Sequence, residues 1–319
     1  MRKVILIFLF PLAVLCSSWG FFAHKQINRM AVFTLPQGII GFYKRNIDFI
    51  TERAVDPDKR RYSDSLEAPR HFLDADHYGE LPFNKIPRKW NDAVFQYSAD
   101  SLKAYGILPW HIQKTYYALV EAFENRDSAK VIRLSSDLGH YLGDAHVPLH
   151  TTENYNGQLT NQVGIHAFWE SRLPELFSHR YDFFVGKAEY IDDPLKEAWG
   201  IVQNTFRQKD SVLLIEARIN KSYSSSLKYT YSQRNGRVEK QYSEEYSKKY
   251  HDALSGMVER QMRSSILKIG SFWYSAWVDA GQPAMNSFKK RLISVGGKRR
   301  TEQADQQPAD RKILGREEN

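Results

Sequence analysis

The sequence contains almost no cysteine. Of its 319 residues only Cys16 is one, and it falls in the N-terminal stretch, so no disulfide framework can hold the rest of the chain. Long apolar runs are equally scarce. The run from Val4 to Leu15 has 12 residues, well short of the roughly 20 that cross a bilayer as a helix. No internal Pro-, Gly- or Ser-rich linker and no repeat divides the chain. That argues for one large domain, although length alone would suggest about two. A Gly-rich phosphate loop, a dinucleotide fingerprint and a Ser-His-Asp order are also missing. Their absence sets aside nucleotide-dependent and serine-nucleophile chemistry.

What is present begins with a leader. Met1, Arg2 and Lys3 form a basic start, the apolar run follows, and Cys16, Ser17 and Ser18 are small. This layout predicts a secretory signal cleaved after Ser18 and export of the remainder. Leu15 is too large to precede a lipidated cysteine, which argues against a lipid anchor. Removal of the leader takes Arg2 and Lys3 with it, so a net charge of +8 falls to +6. A cationic chain suits an anionic substrate, and equally a soluble tail. Hydrophobic residues make up 42% and aromatics 13%, enough for a sizeable core.

Helical spacing dominates. Residues 20–35 and 38–54 read as helices, the first closing before Pro36. From His111, Ile112, Tyr116, Leu119 and Phe123 form one apolar stripe. From Ser128, Val131, Leu134, Leu138 and Leu142 form another. Pro174 predicts a break in the pattern or the start of a new turn. Residues 193–219 carry one or two further helices, and Val258 to Trp277 mark a long core helix. Residues 221–250 differ: they are rich in Ser, Tyr, Lys and Arg, and Asn235-Gly236 signals a hairpin. That region reads as a surface excursion. From Gly296 the chain is charged and poor in apolar residues, which predicts a disordered tail over 296–319. The expected fold is all-α, a single multi-helix domain over 19–295 with a small surface hairpin.

The chemistry concentrates between His140 and Glu170. His140 and Asp144 are four residues apart, as are His166 and Glu170, and that spacing puts each pair on one helical face. His150 lies between them, after Pro148. Upstream stand His24, the competing aspartates Asp56 and Asp58, and His71. Cleavage after Ser18 would leave Trp19 with a free amine that, with its carbonyl, can chelate a metal. That makes five histidines, three carboxylates and an N-terminus. Imidazole and carboxylate without thiolate fit catalytic zinc. At about three protein ligands per ion, the set suffices for about three ions. Asp144 could bridge two of them. Clustered zinc suits phosphodiester hydrolysis by a metal-activated water. His77, His111, His146, His179 and His251 lack the spacing and read as ordinary core or surface residues.

The ordered motifs WGxxxH, Asp, HF, HxxxD, His and HxxxE run from Trp19 to Glu170. Together they resemble the superfamily of bacterial zinc-dependent phospholipases C and fungal single-strand-specific zinc nucleases, over Trp19 to about residue 280. The resemblance implies an all-α fold and a tri-zinc site. It implies one ion held by Asp58 or Asp56 with His71, His140 and Asp144. A second would take His150, His166 and Glu170, and a third Trp19, His24 and the bridging Asp144. The early aspartate would also orient or deprotonate the attacking water, and Pro57-Asp58 favours Asp58. The nuclease branch would use Phe72 and Asp74 as a base pocket. Glu170 and the short gap from His150 to His166 point to the phospholipase C branch. The expected substrate is then a phospholipid head group, with single-stranded nucleic acid as the alternative. No stable protein partner and no transmembrane anchor is implied. A reading of another class is a zinc-stabilised binding protein without catalysis.

Overall fold

The structure, a computed structural model, describes residues 21–234 and 237–288. The leader, Trp19, Asn235-Gly236 and the tail expected beyond Gly296 lie outside them. Within them the fold is all-α, with two short strands. No helix there is long and apolar enough to cross a membrane.

Two consecutive helices form the spine. Leu108–Glu124 begins earlier than its apolar stripe, because Pro109 occupies the first turn, where a missing N–H costs nothing. Ser128–Asp144 starts on Asp127, whose side chain accepts from Lys130 N. The two pack against each other and against the long helix Met257–Asp279, and Pro194–Phe206 covers the first. Their facing apolar residues belong to one buried cluster that extends from Ile27 to Phe288.

The N-terminal helix Phe21–Ala31 packs on Met257–Asp279, Ile47–Arg53 and Ser128–Asp144. Its approach to the last is permitted by two glycines one turn apart. A Cβ on Gly139 would lie 2.1 Å from Asn28 Oδ1, and one on Gly143 would lie 2.9 Å from His24 Nδ1. These glycines stand immediately before His140 and Asp144, so the close approach carries His24 to the two ligands.

Three local expectations are refined. The helix expected over 38–54 is two, Gln37–Arg45 and Ile47–Arg53. Asn46 interrupts it by donating its side-chain N–H to Phe42 O at 2.8 Å, a side-chain competition typical of asparagine. Of the two expectations at Pro174, the start of a new turn is the one realised. A π turn over Phe168–Arg172 precedes Pro174, and Leu173–Phe177 continues the helix through it. The 221–250 excursion is anchored at its base. Strands Tyr229–Arg234 and Arg237–Tyr242 pair antiparallel, and Tyr242 stacks on Phe168 with centroids 3.7 Å apart. Beneath them, the fully buried Glu216 accepts from Lys228 Nζ at 2.9 Å, Tyr246 Oη at 2.6 Å and Gln162 Nε2 at 2.6 Å.

Candidate metal centre

The structure brings His24, Asp58, His71, His140, Asp144, His150, His166 and Glu170 into adjoining groups whose ligand atoms can hold metal ions. Helix Ser128–Asp144 supplies His140 and Asp144. The turn Pro148–Thr151 supplies His150, and the helix and π turn over 165–172 supply His166 and Glu170.

The first group centres on Asp144 Oδ2, which lies 3.0 Å from His71 Nδ1 and 3.3 Å from His140 Nε2. The two ring nitrogens are 3.1 Å apart, and Asp58 Oδ1 stands 3.4 Å from His140 Nε2. The second group joins His24 Nε2 to Asp144 Oδ1 at 3.3 Å and to Glu170 Oε1 at 3.1 Å. In the third, Glu170 Oε2 lies 2.8 Å from His166 Nε2 and 3.4 Å from His150 Nε2, with the nitrogens 3.0 Å apart. Each carboxylate thus divides its two oxygens between neighbouring groups.

These spacings fit zinc. Ligand atoms at about 2.1 Å from a tetrahedral ion stand about 3.3 Å from one another. The tautomers fit as well. His140 Nδ1 donates to Ala54 O at 2.8 Å and His150 Nδ1 to His71 O at 2.6 Å. His71 Nε2 faces Glu67 Oε1 at 3.6 Å. With protons on those outer nitrogens, the inner ones present lone pairs to one another and to carboxylate oxygens. Lone pairs packed at about 3 Å in a buried site call for a cation.

Without a metal, protons supply that cation. Burial and the neighbouring His140 charge push the His24 imidazole down, but Asp144 and Glu170 outweigh them and lift it to about 9. Burial lowers His140 too, and Asp144 and Asp58 raise it well above the usual range. Burial alone would raise Asp144, yet the His140 and His150 charges hold it far below the carboxylate range. Glu170 is likewise held low against burial by its hydrogen bonds to His150, His166 and His24. For Asp58 the same burial is overcome chiefly by His140, leaving it at about 2.

The cluster opens on one side. The side chains of Asp58 and Glu170 are 15% and 12% exposed, whereas His71, His140 and Asp144 are at most 1%.

Asp56 lies outside the cluster, a correction to its candidacy. It pairs at the surface with Arg53 Nη1 at 3.1 Å and Lys59 Nζ at 3.6 Å. Two residues apart on the short helix Asp56–Arg60, Asp56 and Asp58 cannot face the same way. Phe72 and Asp74 stand as the residues that a nuclease-type base pocket would use. Both are buried. Trp19 lies outside the described residues.

Glu67 is the residue that sequence reasoning missed. It is fully buried behind His71 and accepts from Tyr141 Oη and Arg70 Nη1. Arg60 approaches it with Nε at 3.4 Å and joins Asp137 Oδ1 at 3.2 Å. Burial would raise the Glu67 carboxyl, but His71, Tyr141 and Arg60 hold it well below its usual range. Glu67 and His71 share the four-residue spacing of the other ligand pairs, and that was the available signal.

No family model and no curated protein matches the sequence. Among solved structures, the alpha toxin from Clostridium absonum aligns over 81% of this chain at 14% identity and a TM-score of 0.46. The chain spans 65% of that protein's length.

Proposed function

We propose that the protein is an exported zinc-dependent phosphodiester hydrolase of phospholipase C type. The observation that carries this reading is the pair of bridging carboxylates. Asp144 and Glu170 each face two ligand groups, and such sharing would join bound ions into one multinuclear site. Separate structural zinc sites have no need of such sharing. His71, His140, Asp144 and Asp58 would hold one zinc, and His150, His166 and Glu170 a second. His24 with Asp144 and Glu170 would hold a third, completed by the Trp19 amine and carbonyl. Bound zinc supplies Lewis-acid polarisation of a phosphoryl oxygen and acidifies water.

The chain's own residues contribute the rest. Asp58 is ionised at neutral pH and lies on the open side, so its carboxylate accepts a hydrogen bond from the attacking water and orients it toward phosphorus. His140 and His150 are held by backbone carbonyls and His71 faces Glu67, so that part of the ligand set is preorganised. The buried side of the cluster, closed by helix Phe21–Ala31, excludes bulk water.

Phosphatidylcholine vesicles and single-stranded DNA, offered to zinc-loaded protein with and without chelator, test the reading. Chelator-sensitive release of phosphorylated head group is expected. Chelator-sensitive nucleotide release would move the substrate to nucleic acid. Turnover of either that survives exhaustive chelation would remove zinc from the mechanism. A zinc-replete protein inert toward both would favour a binding role.

A further inference from the structure

The base of the hairpin packs beside the ligand-bearing helical turn, and its outer part projects with an apolar face. In an antiparallel pair, opposed residues share one face. The register places Tyr229 opposite Tyr242, Tyr231 opposite Lys240 and Gln233 opposite Val238. At the base, Tyr242 is buried on Phe168, midway between His166 and Glu170. Farther out on the same face, Tyr231 and Val238 are exposed, and Lys240 Nζ lies 3.9 Å from the Tyr229 ring centroid. The face therefore begins as core and ends in solvent.

Two neighbouring segments extend it. Gln162 donates to Leu213 O at 2.9 Å and to Glu216, and Glu216 pairs with Lys228. Flanking these buried anchors are Leu159, Val163, Leu214 and Leu227. With Tyr231 and Val238 they are each between 58% and 71% exposed. Single exposed apolar residues need no explanation, but six on three tied segments form a patch. Val163 leads directly into the turn that bears His166, so the patch and the metal centre share a segment of chain.

We propose that this patch is a membrane-docking surface that seats the protein on a phospholipid bilayer, with the hairpin as its leading edge. The proposal rests on the phospholipase C reading of the site and specifies how lipid is reached. Charge favours this occupant. Besides the buried Lys228, residues 221–242 carry Lys221, Arg234, Arg237 and Lys240 against a single acid, Glu239. Exposed apolar side chains on a segment rich in cations suit the headgroup–acyl boundary of an anionic leaflet. Single-stranded nucleic acid would ask instead for a row of stacking aromatics, and five of the six exposed residues are aliphatic.

Sedimentation with vesicles tests the surface apart from catalysis. Zinc-loaded protein, a Tyr231→Ser/Val238→Ser variant and a Leu159→Ser/Val163→Ser variant are spun with phosphatidylcholine vesicles, with and without phosphatidylglycerol. Each is also assayed on a soluble chromogenic phosphodiester. Wild type should sediment, more so with phosphatidylglycerol and low salt. Both variants should bind about tenfold more weakly and keep the soluble rate. Vesicle binding equal in all three proteins, or absent in wild type, overturns the docking surface. So does variant-sensitive binding of single-stranded oligonucleotide in place of vesicles. Hairpin-dependent vesicle binding without lipid hydrolysis would leave docking standing and defeat the phospholipase reading. Hydrolysis of detergent-dispersed lipid with no variant-sensitive binding would do the reverse.

Discussion

Glu67 Oε1 stands 3.6 Å from His71 Nε2, on the far edge of the imidazole from Asp144, whose Oδ2 lies 3.0 Å from Nδ1. The buried carboxylate sets which nitrogen of His71 faces the metal groups. Glu67→Gln keeps the shape and removes the charge, leaving Arg60 with Asp137 and Arg70 with Asp64. Outer partners of this kind are worth about 10- to 100-fold in metal affinity. A chelator competition titration should show a loss in that range. An affinity unchanged within about twofold would remove Glu67 from any positioning role.

Gly143→Ala tests the route by which His24 reaches the cluster. The added methyl would stand 2.7 Å from Ile27 Cδ1 and 2.9 Å from His24 Nδ1. The isoleucine end can turn aside, but the imidazole is tied to Asp144 and Glu170. Overpacking of this type costs about 1–3 kcal/mol. The expected result is a folded protein, by circular dichroism, that retains fewer zinc ions per chain in mass spectrometry. Full zinc content would show that helix Phe21–Ala31 tolerates the shift.

Acidity should act in opposite directions on metal-free and zinc-loaded protein. In the metal-free chain His24 is raised from 6.5 to about 9. Its contribution is fully present below pH 6.5 and is lost as pH rises through about 9. Asp144, Glu170 and Asp58 are depressed, so their contribution is lost only as pH falls through the acid range. Metal-free Tm should therefore decline between pH 6.5 and 9. Zinc needs the histidines deprotonated, so the Tm increment on adding zinc should grow over the same interval. A metal-free Tm that rises toward pH 9 would contradict the raised histidines.

Maturation should matter to metal content. A chain beginning at Trp19 offers an amine and carbonyl to the His24 group, whereas one with an additional N-terminal methionine does not. The extended chain should bind one zinc fewer and lose most of its activity. Equal zinc content and equal rate in the two proteins would exclude the Trp19 amine as a ligand.

Much of this centre was legible because it is local. His140 with Asp144 and His166 with Glu170 announce themselves through helical periodicity, which needs no tertiary information. Asp58 was favoured over Asp56 only through the likeness of Pro57-Asp58, because both precede His71 at similar spacing and the direction of one short helix separates them. Gly139 and Gly143 looked like ordinary helix residues until Asn28 and His24 were seen against them. The π turn that carries Glu170 past Pro174 likewise depends on packing. Phe72 follows His71 in sequence, and its burial could not be read from that position. The hairpin itself was announced by Asn235-Gly236, and its anchoring through Glu216 was not, since Gln162, Glu216 and Lys228 are far apart in the chain.

Asp144 and Asp58 should separate metal binding from chemistry. Asp144 directs Oδ2 to His71 and His140 and Oδ1 to His24, so two groups lose a charged ligand in Asp144→Asn. Its zinc content should fall by more than one ion, and its Tm with it, since binding is linked to folding. Asp58 stands 3.4 Å from His140 and 3.7 Å from His71, also shares a group with His24, and is partly exposed. Asp58→Asn should keep most of its zinc yet lose about 100-fold or more in kcat, the scale of a lost acid–base group. If Asp58→Asn instead sheds zinc as fully as Asp144→Asn, its carboxylate is chiefly a ligand and the water must be oriented by another group. If it keeps both zinc and rate, Asp58 has no part in the reaction.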